Sequence, residues 1–496
     1  MEENLKYFVN NDCLICEDSH LLTQLIQKFD FDIIKFKEQY SSVPKIILNE
    51  CEPVRFIAGF IAACRANCPV FLCNSAWGKQ EWLQVFDLVK PDFIWGTEGQ
   101  VVEAFSSLFH FHPFSYLETF HSSFFLDTSI KTKAAKINDS NSHSSIYYSP
   151  YIMIPTGGSS GKIKFAVHTW DTFAASVRGF KEYFQRDKIN SFCVLPLYHV
   201  SGLMQFMRCF LTGGKLVILP FKELELGNKC FSKKYKIKNL NFFISLVPTQ
   251  LERLLKKSDF TQWLRLFKTV LLGGAPAWDE LLQKARFHDI RLAPTYGMTE
   301  TASQIVTMKP EDFLRGKVGC GQVLPHAKLQ IRGEKNEVLK NNQIGSIYIQ
   351  SESLTLGYYP LKSKIQTYLQ IDDLACLDEQ GYLKIIGRNS DKIITGGENV
   401  YPVEVEAAIR TTGMVADVCV IGVADKHWGQ VVTAIYVKKI DISHLDIQVL
   451  LKEKISNYKI PKNWISVSSL PRNAQGKINR QKLYEIATKY FCIAEK

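Results

Sequence analysis

Through the first three hundred residues, short apolar runs alternate with longer stretches whose apolar positions return every three or four residues. The runs at 45–49, 69–73, 92–95, 152–154, 192–197, 215–219, 243–247 and 270–272 predict strands. Helical periodicity falls between several of them, for example at 172–184 and 248–255. Alternating β and α predicts layered α/β structure with largely parallel, buried sheets. The Ser-, Asn- and Lys-rich stretch 129–149 reads as a surface loop. Between 318 and 388 the pattern changes to short strands at 328–332, 346–349 and 382–386, separated by Gly, Asn and Asp, which predicts a small antiparallel β subdomain. Beyond Arg388, runs at 418–423, 432–437 and 447–458 predict a small α+β domain. The expected division is a large domain at 1–388 that includes the β subdomain, followed by a small mobile domain at 389–496.

Composition narrows the class. The chain has 496 residues, 46% hydrophobic and 22% charged, which excludes disorder of the whole chain. Its net charge is +11, and residues 451–496 alone carry ten Lys/Arg against three Asp/Glu. A basic end suits phosphate-bearing ligands, nucleic acid or an anionic membrane, or is simply a solvated surface. No nucleic-acid motif accompanies it. Thirteen scattered cysteines do not form the framework of a small secreted protein. Cys13-Leu14-Ile15-Cys16 with Cys64 and Cys68 could be a zinc site, but 56–70 reads as a helix running into a strand, so buried free thiols are the default. Met1-Glu2-Glu3-Asn4 lacks the basic start and apolar run of a signal peptide, and the apolar stretch 56–64 is too short to span a bilayer. The expectation is a soluble protein of a reducing compartment, cytoplasm or plastid stroma. Frequent Lys, Ile, Asn and Phe fit an AT-rich bacterial or plastid genome. Oligomeric state stays open, a homodimer among the options.

The strongest local signal is Ile154-Pro155-Thr156-Gly157-Gly158-Ser159-Ser160-Gly161-Lys162-Ile163-Lys164. An apolar strand runs into glycines that let backbone N–H groups approach phosphates, hydroxyls that donate, and lysines that supply charge. Ile163 follows Lys162 where a P-loop NTPase requires Ser or Thr, so this is a phosphate loop of another kind, or else a flexible hairpin turn. Four more blocks follow in order. Leu271-Leu272-Gly273-Gly274-Ala275-Pro276 is a strand ending in a tight turn. Tyr296-Gly297-Met298-Thr299-Glu300-Thr301 sets a hydroxyl beside a carboxylate. Gly387-Arg388 leads to Gly396-Gly397, and Leu470-Pro471-Arg472-Asn473-Ala474-Gln475-Gly476-Lys477 places a lysine in a basic loop.

These blocks, in this order and at these separations, resemble the adenylate-forming superfamily of acyl-CoA synthetases, peptide-synthetase adenylation domains and beetle luciferases, over about 145–485. Within it, Pro196–Leu203 in Pro196-Leu197-Tyr198-His199-Val200-Ser201-Gly202-Leu203, Val247-Pro248-Thr249-Gln250 and the Ala302-Ser303-Gln304 extension look most like the ligases that act on o-succinylbenzoate in menaquinone and phylloquinone synthesis. The resemblance implies two steps: a carboxylate attacks the α-phosphate of ATP to give an acyl adenylate and pyrophosphate, then coenzyme A displaces AMP. It implies ATP, coenzyme A and a small carboxylic acid as substrates, with Mg²⁺ as cofactor, and no nucleic-acid partner or membrane span.

By the same resemblance, Thr156, Gly158, Ser159, Ser160, Gly161 and Lys164 surround the β- and γ-phosphates. Gly157 stands where Ser or Thr is usual and Ile163 where Pro is usual. Gly273, Gly274, Ala275, Tyr296 and Gly297 belong to the nucleotide site. Thr299 contacts the α-phosphate, Glu300 binds Mg²⁺, and Asp373 and Arg388 hold the ribose. Ser390 sits at the hinge, in place of the usual charged residue. Lys477 is the adenylation lysine, and Gly396 and Gly397 leave room for the pantetheine arm. His199, Ser201 and Ser303 line the acyl pocket as polar donors without a nearby Arg, which implies water-assisted hydrogen bonding of the unreacted carboxylate. Asp372 beside Asp373 leaves acid–base work by a carboxylate pair as an alternative. An adenylation enzyme that loads a carrier protein, and a nucleotide-binding protein without turnover, remain the competing functions.

Overall fold

The computed structural model describes residues 1–96, 124–125, 150–157, 162–226, 241–361, 368–425, 427–440, 443–472 and 478–494. The chain divides into two compact units. One comprises Met1–Ser245, Met298–Gln304 and Ser351–Gln366, the other Leu246–Gly297, Ile305–Gln350 and Thr367–Lys496.

In the first unit, the uniformly apolar runs become central strands. Ile46–Asn49 and Val70–Leu72 are buried at every position, as expected for strands covered on both faces. With Phe93–Gly96 and Ile152–Gly157 they make the parallel centre of a seven-stranded sheet. The sheet's edges are antiparallel. Ile163–His168 folds back along Ile152–Gly157, Gly357–Tyr358 pairs with Ile163–His168, and Phe124–Phe125 pairs with Phe93–Gly96. The sheet is therefore mixed rather than largely parallel. A parallel return needs a crossover of about a dozen residues, and only Gly158 to Lys162 separate the first pair. Thr156 and Lys164 thus lie on the two arms of one antiparallel pair.

A second set of strands in this unit runs parallel in the order Leu14–Ile15, Leu216–Ile218, Asn190–Cys193 and Phe242–Leu246. The core is built on two nearly all-apolar helices. Pro53–Arg65 starts with Pro at its first turn, where the missing N–H costs nothing. It is buried at Val54 and from Phe56 to Cys64. Val200–Thr212 is buried from Gly202 to Phe210. Phe206 meets Phe60 and Phe8 edge-on at 6.0 Å, and each such ring contributes about 1.5–3 kcal/mol by leaving water. Cys64 and Cys68 are buried thiols at the end of the first helix, and burial pushes Cys68 up to about 11. Among the described residues no three His, Cys, Asp or Glu side chains converge to hold a metal.

In the second unit, Thr269–Leu272 and Leu292–Met298 lie parallel, with helix Asp279–Phe287 between them in the chain. A four-stranded sheet follows in the order Ala327–Arg332, Gly345–Ser351, Leu369–Leu377 and Leu383–Arg388, with its last two pairings antiparallel. The final five strands form another sheet. Val415–Asp425 and Gly429–Lys438 are its long antiparallel pair, and Asn463–Ser466 lies parallel to the latter. Helices Pro402–Arg410 and His444–Lys452 contribute to the core on one side through Val405, Ile409, Ile447 and Leu451. Helix Arg480–Ala494 contributes Leu483 and Ala487 to a separate cluster. No described helix is long and apolar enough to cross a membrane.

Candidate active site

In the first unit, the hairpin sets Thr156 directly across from Lys164. The neighbouring edge strand supplies Tyr358, whose ring lies 5.5 Å from the Lys164 ammonium. The Tyr358 hydroxyl donates to Glu300 Oε1 at 2.6 Å. Glu300 belongs to the short turn Thr299–Thr301, and that turn is held by its carbonyls. Thr299 O faces His168 Nε2 at 2.8 Å. Glu300 O accepts from Thr355 N–H at 2.8 Å, Thr301 O from Ser353 Oγ at 3.0 Å and Ala302 O from Ser176 Oγ at 2.9 Å. Four successive carbonyls thus meet four distant donors, which fixes where Thr299 and Glu300 point. The turn is also strained: Ala302 and Ser303 have φ of +51° and +97°, conformations that non-glycine residues hold only when their surroundings impose them.

His168 is fully buried at the end of the hairpin. Burial pushes its imidazole down to about 4, so near neutral pH it carries one proton. The carbonyl opposite Nε2 requires that proton there, leaving Nδ1 facing the Thr172 hydroxyl at 3.0 Å.

His199 is the residue preceding helix Val200–Thr212. Ser201 and Gly202 lie in the first turn of that helix. Gly202 is required there, because a Cβ would lie 2.1 Å from the Pro196 carbonyl oxygen. Two turns along stands Arg208, 2% exposed. Its Nη2 donates to Ser303 Oγ at 3.2 Å and Gln304 Oε1 at 2.9 Å, and the guanidinium stacks 4.1 Å over Phe180. Its Nε has no hydrogen-bond partner among the described residues. Burial pushes Arg208 down to about 10, which leaves it charged at pH 7. The expectation of pocket donors without a nearby Arg is therefore corrected: a buried guanidinium backs Ser303. The only signal in the sequence was a lone cation in the apolar run Leu203–Phe210 of Leu203-Met204-Gln205-Phe206-Met207-Arg208-Cys209-Phe210.

In the second unit, strand Leu292–Met298 carries Tyr296 and Gly297. The Tyr296 hydroxyl donates to Asp373 Oδ2 at 2.7 Å. Arg388, paired across the sheet with Asp373, places Nε 3.5 Å from Oδ1. Burial, then the Asp373 charge, raises the Tyr296 phenol far above its ordinary value, so it remains a donor. Gly273 lies against the same strand, where a Cβ would meet Thr295 Oγ1 at 2.4 Å, and Gly274 turns the chain at φ +81°. Gly273-Gly274-Ala275 thus follows the end of one parallel strand and Tyr296 lies near the C-terminal end of its neighbour, the side of an α/β sheet where ligands bind.

Asp372 and Asp373 are successive strand residues and point to opposite faces. Asp372 accepts from the Ser390 N–H at 3.3 Å and from its hydroxyl. The carboxylate-pair alternative is corrected accordingly: one carboxylate faces Tyr296 and Arg388, the other ties down the segment after Arg388. Gly396 and Gly397 form the two-residue turn between Ile393–Thr395 and Glu398–Val400, with φ of +59° and +85°. A Cβ on Gly396 would come within 2.8 Å of Trp428, whereas one on Gly397 meets open space. Gly158, Ser159, Ser160, Gly161 and Lys477 lie outside the described residues. Sequence reasoning missed His168, Ser176, Arg208, Ser353, Thr355 and Tyr358, which act on the named residues rather than belonging to any motif.

The first unit thus holds a fixed Thr299–Glu300 turn, and the second a strand-end glycine turn and a carboxylate flanked by Arg388 and Tyr296. The family model described as AMP-binding enzyme matches residues 52–359, and that of the AMP-binding enzyme C-terminal domain matches 404–477. The chain belongs to the AMP-binding enzyme family. Among its relatives, the 2-succinylbenzoate–CoA ligase of Listeria monocytogenes is 34% identical over 66% of this chain and 68% of its own length. That of Oceanobacillus iheyensis is 34% identical over 68% and 71%. Among solved structures, the o-succinylbenzoate CoA synthetase of Bacillus subtilis, in complex with its acyl-adenylate intermediate, shares the fold with a TM-score of 0.76. It is 24% identical, over 95% of this chain and 94% of that one.

Proposed function

We propose that this protein is an ATP-dependent acid–CoA ligase that converts 2-succinylbenzoate to 2-succinylbenzoyl-CoA, with release of AMP and pyrophosphate. Residues 1–388 act as the nucleotide- and acid-binding domain and 389–496 as the small domain that completes each half-reaction. Asp373 takes the ribose hydroxyls, as an ionised carboxylate can, with Arg388 beside it. Thr299 meets the α-phosphate, while Thr156 and Lys164 flank the outer phosphates.

The Mg²⁺ expected with the triphosphate fits this donor set. Magnesium is held by one or two carboxylates plus phosphates and water, and Glu300 offers Oε2 while Tyr358 occupies Oε1. The ion would neutralise phosphate charge there. Lys477 is the cation assigned to the shift of charge between the attacking carboxylate and the α-phosphate. Gly396 and Gly397 are assigned to the pantetheine path, and Ser390 to the hinge.

The observation that carries the identity of the acid is Arg208. 2-Succinylbenzoate keeps one carboxylate unreacted, and a buried carboxylate without a counter-charge is unfavourable by several kcal/mol or about that order. Arg208 behind Ser303, with His199 and Ser201 on the same helix start, supplies positive charge and donors. A fatty-acid tunnel would be apolar instead.

ATP–pyrophosphate exchange tests this with 2-succinylbenzoate, 4-oxo-4-phenylbutanoate (the same acid without its ring carboxylate), benzoate and fatty acids. Loss of the ring carboxylate should lower kcat/KM by about tenfold or more, and Arg208→Met should erase most of that difference. Equal turnover of a long-chain fatty acid would refute the acid while leaving the ligase chemistry standing.

A further inference from the structure

Tyr358 touches two groups of opposite charge at once. Its hydroxyl is spent on Glu300, and its ring lies beneath the Lys164 ammonium. Both charged groups reach solvent, yet neither makes an ion pair among the described residues. Each is also needed elsewhere, since Lys164 flanks the phosphate loop and Glu300 is the proposed metal carboxylate. Both lie against the same tyrosine, one at its ring and one at its hydroxyl, so with nucleotide absent the two opposite charges are neighbours across that side chain. A lysine on a flexible stem close to a carboxylate closes such a pair readily when nothing stands between them.

Resting on that assignment of Glu300, we infer that Tyr358 is a positioning residue that keeps Lys164 and Glu300 apart in the empty enzyme. It satisfies the ammonium through its π face and the carboxylate through its hydroxyl, so that both remain available to Mg²⁺ and phosphate. The geometry suits the task. Tyr358 is locked in register opposite Ala166, two residues from Lys164 on the same strand. Its backbone neighbour Tyr359 donates its N–H to Phe165 O at 2.8 Å. The ring is therefore anchored by the sheet rather than by either partner. A phenol bond to one carboxylate oxygen orients the other outward, and a cation held over a ring keeps its N–H groups free for phosphate.

The ring and the hydroxyl separate by mutation. α,β-Methylene-ATP is titrated calorimetrically into wild type, Tyr358→Phe, Tyr358→Leu and the double variant Tyr358→Leu/Glu300→Gln, with Mg²⁺ and with EDTA, after circular dichroism has established folding. Tyr358→Phe keeps the ring, so its metal-free affinity should match wild type while the gain from Mg²⁺ falls by about three- to tenfold. Tyr358→Leu lets Lys164 close on Glu300, so metal-free affinity should also fall, by about tenfold. Adding Glu300→Gln removes the competing charge and should restore metal-free affinity towards wild type, a non-additivity that a merely structural Tyr358 would not produce. Unchanged metal-free binding in Tyr358→Leu, or no recovery in the double variant, overturns the inference. If wild type itself fails to bind the analogue with Mg²⁺, the underlying ligase reading falls with it.

Discussion

At the scale of single residues, His168 shows how a buried group outside every motif sets a motif's geometry. Its folded pKa of about 4 lies below the ordinary 6.5 because burial disfavours the imidazolium. The unfolded chain therefore binds more protons between these values, so stability rises with pH across this window. The contribution is fully present above about 6.5 and is lost as pH falls towards about 4, amounting to roughly 3 kcal/mol at most. His168→Gln keeps a donor for Thr299 O but cannot titrate. Urea unfolding at pH 7.5 and pH 5 should show wild type losing more stability than the variant, and parallel losses would contradict the buried neutral assignment. Nothing in the sequence distinguishes His168 from any other lone histidine, since its partner lies 131 residues away. Arg208 was nearly as silent. Thr299, Glu300, Asp373 and Arg388 could be singled out in the sequence because local residue order surrounds each of them.

At the scale of elements, central strands such as Ile46–Asn49 and Thr269–Leu272 were legible from unbroken apolar runs. Ile163–His168 was not, because it begins with alternating Ile and Lys and is buried only from Phe165 onward. Pairing with Ile152–Gly157 makes it a strand, and pairing is invisible in one sequence. The Gly396–Gly397 turn was visible as a glycine pair, but its form, two positive φ angles closing a hairpin, needed the structure. That form bears on thioester formation. Gly397→Leu has space for its side chain and strains only the backbone, by about 1 kcal/mol. Adenylate formation should survive this change, whereas transfer to coenzyme A should fall by at least about tenfold if the turn lines the thiol path. Single-turnover assays of the two half-reactions read this directly, and undiminished transfer would remove the turn from the thiol path.

At the scale of the whole molecule, the order and spacing of five motifs made the superfamily legible before any coordinate, and an AMP-binding model over 52–359 agrees. The identity of the acid was less legible, because the proposed reading rests on side chains brought together by folding, above all Arg208 behind Ser303. The basic segment 451–496 and the scattered cysteines separated no function from another. The central claim is that one chain joins adenylation to thiol transfer. Mass spectrometry of the products formed from ATP, Mg²⁺ and 2-succinylbenzoate, with and without coenzyme A, tests it most directly. The account predicts about one enzyme-bound acyl adenylate per active site, with matching pyrophosphate, when the thiol is withheld. With coenzyme A present, it predicts continuous formation of 2-succinylbenzoyl-CoA and AMP. ADP in place of AMP, or an adenylate that persists unchanged when coenzyme A is added, would contradict it.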